Sequence, residues 1–150
     1  MLVMDCIVQI ILGWAQAEAK VRAIALVGSY ARGTARADSD LDLVVLTNAL
    51  EFFRADASWL DAIGWNDVGT CPVKWQDEDY GVVWSRRLWL EQVRFQVEIG
   101  FARPSWAEVN PLDPGTRRVI ADGCRILYDP DRLLARLCVA VVGRPQCGVE

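Results

Sequence analysis

Val3, Ile7, Ile10, Ile11 and Trp14 recur at steps of three and four, the spacing of one helix face, and predict an amphipathic helix running to about Lys20. Such a stripe needs a sheet to cover. The period then shortens: "VRAIALVG" (21–28) is a β-like apolar run stopped by Gly28, and "LDLVVLT" (41–47) is a second, with a Gly-Ser turn and the polar "RGTARADSD" between them. Thr47 or Asn48 could cap the next segment, "ALEFFRADASWLDAIG" (49–64), which has helical spacing and ends at Gly64 as a C′ residue. The stretch 65–81 is mixed and reads as loop with one short strand. "VVWSRRLWL" and "QVRFQVEIGF" alternate as a hairpin through Leu90 to Gln92, with Phe95, Val97 and Ile99 on one face and Gln96 and Glu98 on the other. A Pro-rich connection (103–115) leads to a short helix, "TRRVIADG", closed by Gly123. A strand, "CRILYD", and a helix, "PDRLLARLCVAVV", with proline near its start, follow.

Nothing repeats internally and no linker divides the 150 residues, so residues 1–150 read as a single domain able to bury one substantial core. A hydrophobic share of 53% against 24% charged residues is a globular composition. The net charge of −4 offers no footprint for sequence-independent nucleic-acid binding, so a polyanionic ligand needs local positive charge. Five scattered cysteines without a C-x-x-C pair read as reduced, mostly buried thiols. The absence of histidine removes His-dependent triads, imidazole zinc sites and a histidine base. The N-terminal segment carries Asp5 where a signal peptide would be basic, and no segment is long enough to span a membrane, so the expected location is the cytoplasm.

The chemistry concentrates in "VGSYARGTARADSDLDLVVL" (27–46). Asp40 and Asp42 stand two apart on a strand and project to one face, roughly 6.5–7 Å apart at Cα. Such a pair can hold one or two Mg²⁺ ions of a two-metal phosphoryl-transfer site. Gly28-Ser29 ends the preceding strand, where backbone N–H groups and the Ser29 hydroxyl can approach phosphate without a Cβ in the way. A helix starting there would add its dipole, and Arg32 and Arg36 are close enough to add positive charge. An ordinary solvated turn at Asp38-Ser39-Asp40 is the competing reading of the aspartates alone. An EF-hand loop fails at Leu43, where glycine is needed, and at Ala49, where glutamate is needed. Walker A and G-x-G-x-x-G patterns are absent.

Taken together, Gly28-Ser29-x-Ala31-Arg32-Gly33 and Ser39-Asp40-x-Asp42-Leu43 closely resemble the signature of the DNA polymerase beta-like nucleotidyltransferase superfamily. The resemblance is especially close to small bacterial members, including the minimal MNT proteins and relatives of the aminoglycoside nucleotidyltransferases. The segment "PLDPGTRRVIADGCRILYDPDRLLARL" is similar to the tail of stand-alone bacterial members. This resemblance implies an α/β fold of the α+β type, a mixed sheet with helices packed on it. It also implies transfer of a nucleoside monophosphate from an NTP, with ATP the expected donor, to a hydroxyl acceptor. Asp40 and Asp42 would bind Mg²⁺, and Gly28, Ser29, Arg32 and Ser39 would form the nucleotide-binding set. Such enzymes usually add a third carboxylate from a later strand. Glu98, acidic among apolar neighbours, is the candidate, as metal ligand, as base, or as both; its competing reading is a solvent-facing strand residue. Asp79 and Glu91 are weaker alternatives.

Seven tryptophans are many for this length, and most are expected in the core. The resemblance also permits a second role, an antitoxin-like partner of a HEPN-type toxin, and a third, aminoglycoside-type transfer. With little chain left after Phe101 for an acceptor-holding domain, a homodimer or protein partner would complete the acceptor site. Neither a membrane nor a nucleic acid is an expected partner.

Overall fold

The predicted stripe becomes helix α1 (Val3–Ala17), with Ile7, Ile11, Trp14 and Ala15 buried. The structure, a computed structural model, describes residues 3–145. Strand β1 (Val21–Val27) leads through a single helical turn, α2 (Ser29–Arg32), to β2 (Leu41–Thr47). Thr47 fixes the exit from β2, its hydroxyl donating to the Lys20 carbonyl at 2.6 Å while accepting from the Ala49 N–H at 2.9 Å.

The helix expected over 49–64 is broken. Helix α3 (Leu50–Ala55) stops at Asp56, whose extended backbone and carboxylate, accepting from the Ser58 N–H at 2.8 Å, start a 3₁₀ turn at Ala57–Leu60 instead. Local Asp side-chain bonding competes with the helix ladder here. Gly64 is correspondingly not a C′ residue. It precedes a second 3₁₀ turn, Trp65–Val68, with an ordinary φ of −74°.

The region read as loop with one short strand contains an eight-residue strand, β3 (Pro72–Asp79), followed by β4 (Val83–Leu90) and β5 (Gln96–Ala102). Their hairpin turn is longer than expected, since β5 starts only at Gln96. Helix α4 (Pro114–Asp122) begins behind Asp113, which accepts from the Thr116 N–H at 2.9 Å, and Pro114 takes the first-turn position where its missing N–H costs nothing. Strand β6 (Cys124–Tyr128) and helix α5 (Leu133–Val142) complete the described chain. Pro130 lies before α5, and the Asp129 carboxylate accepts from the N–H groups of Leu134 and Ala135.

The six strands form one mixed sheet in the order β3-β4-β5-β2-β1-β6. Only β2 and β5 run parallel, and the other neighbours are antiparallel. Period-2 alternation divides the core in two. Ile24, Leu26, Leu41, Leu43, Val45, Val97, Ile99 and Phe101 pack against α1, Phe53 and Trp59. Ala23, Ala25, Val44, Leu46 and Ala102 pack with Trp106, Ile120, Leu134 and Leu137. Asp42 and Glu98 belong to this second face, one step beyond the part that the helices cover.

Trp14, Trp59, Trp65, Trp84 and Trp106 are buried, as expected of most tryptophans, while Trp75 is exposed. The cysteines divide evenly rather than being mostly buried: Cys124 and Cys138 are buried, Cys6 is intermediate and Cys71 is exposed. Cys147 lies outside the described residues. Among the described residues no helix is long and apolar enough to cross a membrane.

Candidate active site

Parallel pairing of β2 with β5 sets Asp42 directly beside Glu98, two strands that lie about 4.8 Å apart. Asp40 sits one residue before β2 rather than within it, and is held there by the Gln96 N–H donating to its Oδ1 at 3.2 Å. The three carboxylates are thereby drawn to one corner of the second sheet face. Burial first, then the charges of Glu98 and Asp40, push Asp42 up from the ordinary 3.8 to about 6, and Arg87 partly offsets them.

Arg87, on β4, is the cation of this corner. Its Nη1 donates to Asp40 Oδ2 at 3.0 Å and to Gln96 Oε1 at 3.0 Å, and its Nη2 donates to Glu98 Oε2 at 3.1 Å. Glu98 Oε1 accepts from the Ser85 hydroxyl at 2.9 Å and from the Tyr80 hydroxyl at 3.2 Å. Burial and the neighbouring Glu98 charge in turn push the Tyr80 phenol up. Asp79 and Glu91 are engaged elsewhere, Asp79 with Arg54 at 3.1 Å and Glu91 beside Cys71.

The turn after β1 comes to the same place. Gly28 has φ 76° and ψ −153°, a conformation open essentially to glycine alone, and a Cβ on it would stand 2.8 Å from Asp42 Oδ2. Ser29 opens the single turn of α2. Arg32 is ion-paired with Asp122 at the end of α4, Nη1 to Oδ2 at 2.8 Å. Gly123, at φ 139°, lets that chain end pass so close that a Cβ would meet Arg32 Cγ. Ser39 Oγ accepts from the Arg36 N–H at 2.7 Å and closes the turn that presents Asp40. Asp38 is exposed, as a loop residue should be.

A cleft of ≈490 Å³ joins Gly28, Asp42 and Glu98 to Trp106, Arg118 and Val119. A larger cavity of ≈680 Å³ lies among the 3₁₀ turns, lined by Asp56, Asp61, Asp67 and Trp75. The smaller cleft is the candidate site, because Asp42, Glu98 and the glycine turn meet in it; Asp40 does not line it. Sequence reasoning named Gly28, Ser29, Arg32, Ser39, Asp40, Asp42 and Glu98, but not Arg87, Ser85, Tyr80 or the wall supplied by Trp106 and α4. Alternation could have placed Ser85 and Arg87 on one face of β4. Their meeting with Asp40 depends on strand order, which local pattern does not carry.

As donors, hard carboxylate oxygens at a site where like charges crowd suit Mg²⁺. Among the described residues no group of three acidic, cysteine or histidine side chains is already arranged to hold a metal, and Asp40 and Glu98 are instead both ion-paired with Arg87.

A family model described as a nucleotidyltransferase domain matches residues 8–99, which include Asp40, Asp42 and Glu98. No curated protein matches the chain. Among solved structures, a complex of Cid1 with the UTP analog UMPNPP is similar at 23% identity and a TM-score of 0.38. That match covers 65% of this chain but only 26% of the Cid1 chain, so the likeness is loose and partial.

Proposed function

Because the chain belongs to the nucleotidyltransferase domain family, we propose that it transfers a nucleoside monophosphate from an NTP, with ATP as the expected donor, to a hydroxyl on a small molecule or protein. The observation that carries this reading is the pairing of Asp42 with Glu98 across β2 and β5 beside the Gly28 turn, with Asp40 tied to Glu98 through Arg87. In the reaction the acceptor oxygen bonds to the α-phosphorus, the bond to the bridging oxygen breaks, and pyrophosphate leaves.

Asp40, Asp42 and Glu98 are the residues to hold Mg²⁺. Bound there, the metal would polarise the phosphoryl oxygens and help deprotonate the acceptor. Gly28 lets phosphate approach the backbone, and the Ser29 hydroxyl donates to it. Ser39 uses an oxygen lone pair on Arg36, which leaves its O–H free to donate. Arg32 is ion-paired with Asp122, a residue of the cleft wall. Trp106 and Val119 give the cleft an apolar wall that suits the flat body of a base or acceptor.

The test is incubation of purified protein with α-labelled NTPs and Mg²⁺, with and without candidate acceptors. Asp40→Asn, Asp42→Asn and Glu98→Gln should each lower label transfer by about a hundredfold or more, the scale of several kcal/mol of lost charge stabilisation. Unchanged transfer in both aspartate variants would overturn the reading.

A further inference from the structure

We propose that Arg87 is the resident cation of the site: its guanidinium bridges Asp40 and Glu98, and a divalent cation takes these two carboxylates only by exchange with it. The proposal rests on the metal-dependent reading above. It follows from where the oxygen atoms of the site are already committed. Asp40 gives Oδ1 to the Gln96 N–H and Oδ2 to Arg87. Glu98 gives Oε2 to Arg87 and Oε1 to both Ser85 and Tyr80. Every oxygen of two of the three carboxylates thus already accepts from a donor of the protein itself, and no group of three acidic, cysteine or histidine side chains among the described residues is arranged to hold a metal.

The bridge is built to persist. A guanidinium keeps its charge at any physiological pH, and its planar fork reaches two carboxylates at once where an ammonium would act as a point charge. Gln96 Oε1 fixes the same Nη1 that bonds Asp40, so the side chain is held from a third direction. Its side chain is 30% exposed, which leaves it room to swing toward solvent. The exchange conserves the role of the site: one cation leaves the carboxylates as another arrives.

A merely structural ion pair and a competing cation predict opposite signs. If Arg87 only positions the carboxylates, its loss should weaken metal binding. If it competes, its loss should tighten it.

The experiment titrates the full chain with Mn²⁺ alone, reading free Mn²⁺ by EPR, with circular dichroism to confirm folding. Arg87→Gln should bind Mn²⁺ about tenfold or more tightly than the wild type. Arg87→Lys should fall between, since it keeps the charge and loses the fork. Asp42→Asn should weaken binding. Equal or weaker binding by folded Arg87→Gln overturns the exchange, while Asp42-dependent binding in the wild type leaves the nucleotidyltransferase reading standing. Absence of saturable binding in every folded variant overturns both. Should Arg87→Gln fail to fold, the wild type decides: Mg²⁺ must move the Arg87 Nε–Hε NMR resonance, and an unmoved resonance at saturation overturns the proposal.

Discussion

Asp42 is held in its buried corner against two like charges, and the consequence is a measurable pH dependence. With its pKa near 6 in the folded protein and 3.8 ordinarily, the native state binds the proton more tightly than the unfolded chain does. The stabilisation is therefore fully present below about pH 4 and lost as pH rises through about 6. In EDTA, urea unfolding should show the wild type losing roughly 1–2 kcal/mol over that window, after discounting for partial exposure. Asp42→Asn should lack the loss and be the more stable protein at pH 7.5. Gly28 carries a second test, because a Cβ there meets both a forbidden backbone region and the Asp42 carboxylate. Gly28→Ala should cost roughly 1–3 kcal/mol in chemical denaturation and depress label transfer further than that loss accounts for.

Among the elements, α1 was legible because it buries one regular face, β1 and β2 because strands buried on both faces read as short continuous apolar runs, and β5 because its first half alternates. Strand β3 was not. It is an edge strand wet on both faces, without the alternation that burial imposes. What fastens it is its hairpin partner β4: Asp77 accepts from Arg86 at 2.7 and 3.0 Å, and the buried guanidinium lies near the rings of Trp59, Trp75 and Trp84. The same limit applies to the site. The spacing of Asp40 and Asp42 was visible in the chain and Glu98 stood out as a lone acid, but Arg87 joins them only through the order β4-β5-β2. Helix α4, which walls the cleft, depends on its cap. Asp113→Ala removes the acceptor of the Thr116 N–H and should lower stability by about 1 kcal/mol in urea titration, with activity falling where Thr116 and Arg118 border the cleft.

At the scale of the whole molecule, the site is supported from beneath by an aromatic cluster. Phe53 is fully buried, stacked on Phe101 at 4.9 Å between ring centroids and edge-on to Trp14 and Trp59. Phe53→Ala should cost about 3–5 kcal/mol in equilibrium denaturation, leaving a void under the two strands that carry Asp42 and Glu98. The parallel pairing of those strands has a wider meaning. β1 and β2 are neighbours in both chain and sheet, and so are β3, β4 and β5, whereas β2 meets β5 across a long excursion of the chain. The sheet thus joins two locally knit sets, β1-β2 and β3-β4-β5, along the β2-β5 seam, with β6 returning from the C-terminal part to the far edge of β1. Asp40 and Asp42 arrive on the first set, and Arg87 and Glu98 on the second. Neither set owns a complete site, and the set bearing two negative charges finds on the other the arginine that welcomes them. Competence is therefore acquired at the moment of joining, and two fragments cut in the connection between α3 and β3 should regain it only by re-forming both the β2-β5 and the β1-β6 pairings.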